Sequence, residues 1–368
     1  MTPRPAAESF NAALPPNGTS SDSATNPSRR SPLAHETNRP ATRRDFLHQV
    51  GNLTAGIGLA GLAAGWSTSP AAAQTAASEA ATSESPAAGP LGTGFIDAHV
   101  HVWTPDLEKY PLAEAYSRAD MQPPSFTPEE LFAHSRPSGV DRIVLIQMSY
   151  YQFDNSYMTD TIARFPGVFS GVAVVDEHAG DLAETLRKLH AQGVRGLRIH
   201  PAAVSPDRWA GTPGMASLWG LAADLGLAVC PLINPEALPE IEKLCVRFPK
   251  TRVVIDHFAR IGIDGEIRGT QLDQLCRLAE FPQAHVKTSA FYALGKKQPP
   301  YTDLGPMIRR VRDAFGAERL MWASDCPFQV DPGHTYAESI DLIRSGLDFL
   351  TAAERDQMLR KTAERVYF

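Results

Sequence analysis

The chain has 368 residues, 43% hydrophobic and 21% charged, enough apolar material to bury a large core without disulfide or metal staples. A formal net charge of -6 leaves no positive field to gather phosphates, which sets nucleic acid and anionic membrane aside as main partners and leaves a small soluble molecule. The four cysteines, Cys230, Cys245, Cys276 and Cys326, lack the short paired spacings of zinc fingers or redox motifs, and Cys245 and Cys276 fall on apolar helical stripes where buried free thiols are expected.

Residues 1–41 are rich in Pro, Ser, Thr, Asn and Ala and carry too little apolar content to offset the entropy of ordering, so a disordered extension is expected there. Residues 42–73 follow with Arg43-Arg44, a weakly apolar Gly- and Ala-rich stretch from Val50 to Trp66, and Ala71-Ala72-Ala73, which together resemble a twin-arginine (Tat) export signal. A membrane anchor is disfavoured, because the stretch is shorter than about 20 residues and broken by Asn52, Thr54 and glycines. The implied partner is the Tat export machinery, the implied location periplasmic or secreted, and residues 74–93 read as a flexible linker.

From residue 94 to 368, short β-branched runs alternate with helical patterns, the signature of βαβ units. Eight runs are found, near Phe95-Val102, Arg142-Met148, Phe169-Val175, Gly196-Pro201, Ala228-Ile233, Arg252-Ala259, His285-Phe291 and Leu320-Pro327. Amphipathic helices between them are marked by Leu182, Leu186 and Leu189 before Gly193, by Ile241, Leu244, Cys245 and Phe248 before Pro249, and by Ile308, Val311 and Phe315 before Gly316. Thr351 and Glu354 have capping-box spacing ahead of Met358, Leu359 and Val366. This repeat predicts a single-domain α/β fold, a (β/α)8 TIM barrel; a doubly wound sheet lacks support because no Gly-rich phosphate loop follows the first strand.

The first strand ends in Asp97-Ala98-His99-Val100-His101, and strand alternation sends His99 and His101 to one side near the carboxyl end, where barrel active sites sit. The sixth run ends in Asp256-His257 and the eighth in Ser324-Asp325. Each residue alone has a structural reading as a core histidine or a helix cap, but in a barrel all four converge on one rim, which favours a site. Arg198 and His200, two apart at the end of the fourth run, also face the mouth, where a guanidinium suits a substrate carboxylate or else a loop salt bridge. Gln147, Tyr150 and Tyr151 after the second run, and Tyr292 after the seventh, add amides and hydroxyls as candidate substrate contacts. Lys287 on the seventh run is expected to pack or to form a salt bridge, and neither Trp322 nor Cys326 beside Asp325 is given a catalytic role.

The segments Phe95-Ile96-Asp97-Ala98-His99-Val100-His101-Val102-Trp103, Val254-Ile255-Asp256-His257 and Met321-Trp322-Ala323-Ser324-Asp325 resemble the signature segments of the amidohydrolase superfamily. More narrowly they resemble the branch of fuconolactonases, sulfomuconolactone hydrolases and pyrone-dicarboxylate lactonases. The resemblance implies that His99, His101, His257 and Asp325 ligate one divalent metal ion, zinc by preference, with Asp325 and His257 catalytic; metal-free catalysis by the same residues also occurs in this branch. The fourth run offers no lysine for a bridging carbamate and the fifth, Val229-Cys230-Pro231-Leu232-Ile233, offers no histidine, so one metal is expected and not two.

The function implied is water-activated hydrolysis of a lactone or similar cyclic ester of a small, carboxylated, sugar- or aromatic-derived substrate. A non-oxidative decarboxylase of an aromatic or muconic acid is the alternative on the same scaffold, and a binding protein that has lost catalysis is disfavoured by the retained histidines and Asp325. Stable membrane insertion is not expected, and assembly as a homo-oligomer is left open.

Overall fold

The computed structural model describes residues 94–200 and 206–368. The expected disordered extension, export signal and linker all lie outside those residues. Among the described residues, no helix is long and apolar enough to cross a membrane.

All eight apolar runs become parallel strands in sequential order: β1 Phe95–Val100, β2 Val140–Ile146, β3 Phe169–Ala173, β4 Val194–Ile199, β5 Ala228–Pro231, β6 Arg252–Ile255, β7 Ala284–Ser289 and β8 Leu320–Ala323. β8 returns to β1 through a short seam: the Asp325 amide donates to the His99 carbonyl at 2.9 Å, and the His101 amide to the Cys326 carbonyl at 2.8 Å. The eight-stranded barrel is thus joined by the backbone of the residues expected to carry its chemistry. The β-branched content of the runs suits strands buried on both faces, inside against one another and outside against helices.

The helices bury the faces their spacing marks. Leu182, Leu186 and Leu189 are buried in helix Leu182–Ala191, as are Ile241, Leu244 and Cys245 in Leu238–Arg247 and Ile308, Val311 and Phe315 in Gly305–Phe315. The capping box at Thr351 forms reciprocally: the Glu354 amide donates to the threonine Oγ1 at 3.2 Å, and the Thr351 amide donates to Glu354 Oε2 at 2.7 Å. Cys245 is buried as expected, whereas Cys276 is only half-buried because it sits at the flank of its helix stripe.

Strand alternation breaks once where it matters. The β1–β2 ladder shifts register between Asp97 and Val100. Ala98 clusters with Ile96, Val144, Val172 and Ala323 from facing strands, yet His99 also reaches inward to Lys287 of β7. Two successive side chains therefore face the interior, which is what a bulge does. Asp97 is left on the opposite face, toward the helix carrying Tyr336.

Candidate active site

The imidazoles of His99, His101 and His257 and the carboxylate of Asp325 meet at the carboxyl ends of β1, β6 and β8. His99 Nε2 lies 3.3 Å from His101 Nε2 and 3.4 Å from Asp325 Oδ1, and His101 Nε2 lies 3.5 Å from the same oxygen. His257 Nε2 stands 3.8 Å from Asp325 Oδ2. One ligand atom each from His99, His257 and Asp325 fall within 4.8 Å of one another, compact enough to share a cation or a water.

Unusual backbone aims these groups. β6 stops at Ile255, and His257, Phe258, Ala259 and Arg260 all take left-handed φ values of +50° to +59°; Asp325 follows β8 at +66°. Non-glycine residues there carry strain of about 1 kcal/mol or more each, held in place by the packing around them, and such strain gathers at functional sites. Nothing in residue spacing announced it.

Buried partners orient every ring. His101 Nδ1 lies 3.0 Å from the Ile146 carbonyl and so donates its proton there, and His257 Nδ1 lies 2.8 Å from Ser289 Oγ. His99 Nδ1 lies 3.1 Å from Lys287 Nζ and 3.3 Å from Asp256 Oδ1. Lys287 and Asp256 are both fully buried and 2.9 Å apart, and Arg198 Nη2 stands 3.7 Å from the other Asp256 oxygen. Lys287 therefore forms the expected salt bridge, but against a site histidine. Asp256, Ser289 and Lys287 were not legible as site residues; the only hint was an acidic residue directly ahead of His257.

The remaining candidates divide. The Tyr292 hydroxyl donates to Asp325 Oδ2 at 2.7 Å, at the centre of the site. Gln147 Nε2 donates to the Asp154 carbonyl at 2.6 Å, the Tyr150 hydroxyl to the Asp120 carbonyl at 2.8 Å, and the Tyr151 hydroxyl accepts the Thr104 amide at 3.2 Å. These three polar groups are spent on fixing loop backbone. Arg198 combines its ion pair to Asp256 with an Nε that has no hydrogen-bond partner among the described residues. His200 is half-buried just beyond β4, at the edge of the described segment.

Burial pushes all three imidazoles toward the neutral form, His257 to about 4. Burial raises the Asp325 carboxyl, but any proton taken up by His257 or His99 and a hydrogen bond from His101 pull it the other way, and the balance leaves it below the usual carboxylate range. Tyr292 is pushed up by burial and by Asp325, so it stays a donor. The site at neutral pH is one carboxylate facing neutral rings.

A pH dependence of stability follows for chelator-treated protein. The unfolded chain binds protons on histidine as pH falls through about 6.5, whereas folded His257 refuses one until about 4. Its contribution is therefore present above 6.5 and lost on acidification, roughly 2 kcal/mol by pH 5. Asp97 opposes this: burial raises its carboxyl to about 6, so its contribution is present below the ordinary value of 3.8 and lost as pH rises through 6. Three imidazoles outweigh one carboxyl, so the urea midpoint should be lower at pH 5 than at pH 7; an equal or higher midpoint at pH 5 would show that the rings are not held neutral.

An eight-stranded parallel barrel with imidazoles and a carboxylate at the carboxyl rim of its strands defines a (β/α)8-barrel enzyme scaffold. The amidohydrolase family profile matches residues 96–368, and the chain belongs to the amidohydrolase family. It is 29% identical over 248 residues to an L-fucono-1,5-lactonase of Burkholderia ambifaria, covering 65% of this chain and 82% of the relative. It is likewise 29% identical over 251 residues to a 2-pyrone-4,6-dicarboxylate hydrolase of Comamonas testosteroni, covering 64% and 78%. Its fold resembles a Burkholderia multivorans amidohydrolase solved with bound zinc, with a TM-score of 0.65 at 21% identity over 75% of this chain and 99% of that one.

Proposed function

We propose that the protein hydrolyses a lactone or similar cyclic ester of a small carboxylated substrate. The observation that carries the reading is the convergence of His99, His257 and Asp325 ligand atoms within 4.8 Å, in a family whose relatives include two lactone hydrolases. Asp325 takes a proton from the water that attacks the ring carbonyl, with Tyr292 fixing the other carboxylate oxygen. A ring N–H turned toward the site, from His99 or His257, donates to the carbonyl oxygen as its charge grows. The ring oxygen then departs with the proton held by Asp325, so one water is consumed and one hydroxy acid is released.

The donor set fits a single divalent cation: two imidazoles and a carboxylate sit close together, and each ring nitrogen turned away from the site is fixed by a buried partner. Zinc suits these ligands, and a cation there supplies Lewis acidity toward a carbonyl and a water. Arg198, half-buried with a buried Nε unpartnered among the described residues, is the proposed recognition group for a substrate carboxylate, with His200 two positions on. Elemental analysis of the purified protein, with a panel of aldono- and carboxylated lactones assayed with and without chelator, tests the reading. Ring opening without carbon dioxide release is the expected result; carbon dioxide from a carboxylated aromatic, with no lactone opened, would replace it with the decarboxylase.

Export through the Tat machinery to the periplasm or medium belongs to the same proposal, supported by Arg43-Arg44 and Ala71-Ala72-Ala73. The mature exported protein should begin just after Ala73, and an amino terminus upstream of Arg43 in the exported fraction would contradict it.

A further inference from the structure

Phe328, three residues beyond Asp325, is a half-buried aromatic that reaches both sides of the site. Its ring centre stands 5.8 Å from that of His101 and 6.5 Å from that of Tyr292, so it bridges a strand-one imidazole and the tyrosine whose hydroxyl donates to Asp325. Behind it at 6.5 Å lies Trp103, wholly buried and fixed by its indole N–H, which donates to the Pro123 carbonyl at 2.9 Å. A firm apolar plate results. His101, His257 and Asp325 keep exposures of 4, 5 and 5%, so solvent reaches the reacting groups beside this plate.

The polar groups that would meet a polyhydroxylated ring are already engaged. In the loop after β2, Asn155 donates to the Phe153 and Val174 carbonyls at 2.9 Å each, and Gln147, Tyr150 and Tyr151 hold loop backbone. In the loop after β7, the Tyr292 hydroxyl is given to Asp325, and that of Tyr301 pairs with His334 Nδ1 at 2.8 Å. A sugar-derived lactone brings several hydroxyls, and each would exchange water for a wall whose donors and acceptors are taken, which costs affinity. A flat unsaturated ring carries no such penalty and gains by offset stacking on an aromatic face. We propose that Phe328 is a specificity-determining residue of the site and that the lactone it selects is planar and unsaturated, its ring laid against Phe328 and its carboxylate directed to the Arg198 guanidinium.

The choice of ring rests on the lactone reading given above, yet its first test needs no reaction, so the two can fail separately. Calorimetry on the full chain compares benzoate with cyclohexanecarboxylate, which share a carboxylate and a six-carbon ring and differ in flatness. The native protein should bind benzoate about fivefold more tightly. Phe328→Leu keeps apolar bulk but no flat face and should bind the two acids equally, whereas Phe328→Tyr should retain the preference. For hydrolysis, the ratio of kcat/KM for a pyrone carboxylate to that for its tetrahydro counterpart should fall about fivefold in Phe328→Leu, the loss appearing in KM. A native protein that binds neither acid, or both equally, overturns the proposal, as does a preference that survives Phe328→Leu. A benzoate preference lost in Phe328→Leu, with no lactone opened, would uphold the plate and remove the lactone reading instead. The native comparison can overturn the proposal even if the leucine variant fails to fold.

Discussion

Asp325→Asn should lower turnover of any lactone the protein opens by about three orders of magnitude, with KM changed little. In the proposed mechanism the carboxylate takes a proton only as the water attacks, so its loss should fall on the transition state and appear in kcat. Asparagine matches the shape, retains one oxygen, and leaves intact the Asp325 amide bond to the His99 carbonyl that helps join β8 to β1. The fold should therefore survive, which circular dichroism and an unchanged urea midpoint would verify. Steady-state kinetics showing less than a tenfold fall in kcat would remove Asp325 from the role of base.

Asp97→Ala should cost about 4 kcal/mol of stability, the largest effect expected of a residue outside the reaction itself. Asp97 Oδ1 accepts the His99 amide at 3.1 Å and the Ser324 amide at 2.9 Å, and Oδ2 accepts the Tyr336 hydroxyl at 2.8 Å. One carboxylate thus ties β1 to the exit of β8 and to the helix over the seam. Alanine leaves three buried donors without an acceptor. Asparagine keeps an oxygen for both amides and has no charge to bury, so it should cost about 1 kcal/mol, and its disadvantage should narrow as pH rises past 6, where the native carboxyl ionises against burial. Urea midpoints of the three proteins at pH 5 and 8 check this; an alanine variant as stable as the native chain would show that the seam does not depend on Asp97.

The strands were legible because each is buried on two faces and is written in β-branched residues, and the helices because one stripe of each is apolar. The candidate site was legible at the strand ends: His99, His101, His257 and Asp325 stand out by residue type and position, and the structure brings them together. Their supports did not. Lys287 lies 188 positions from His99 and Asp256 lies 157 away, and only barrel closure brings β7 and β6 against β1. Strict alternation would put Asp97 on the face of His99, and the bulge between them puts it on the other, where it holds the seam. Tyr150 and Tyr151 show the opposite limit. Their position after β2 drew attention to their hydroxyls, but an aromatic hydroxyl in a buried loop is readily taken by the backbone, and both are.

In the proposed mechanism Asp325 and its three imidazoles activate water against a ring carbonyl. Hydrolysis of an accepted lactone in 18O-labelled water, followed by mass spectrometry of the product, tests it most directly. The expected product is a ring-opened acid carrying one 18O atom in its new carboxylate, formed by the native protein and suppressed in Asp325→Asn. A product whose carboxylate carries no label, or label incorporated at equal rates by both proteins, would contradict it.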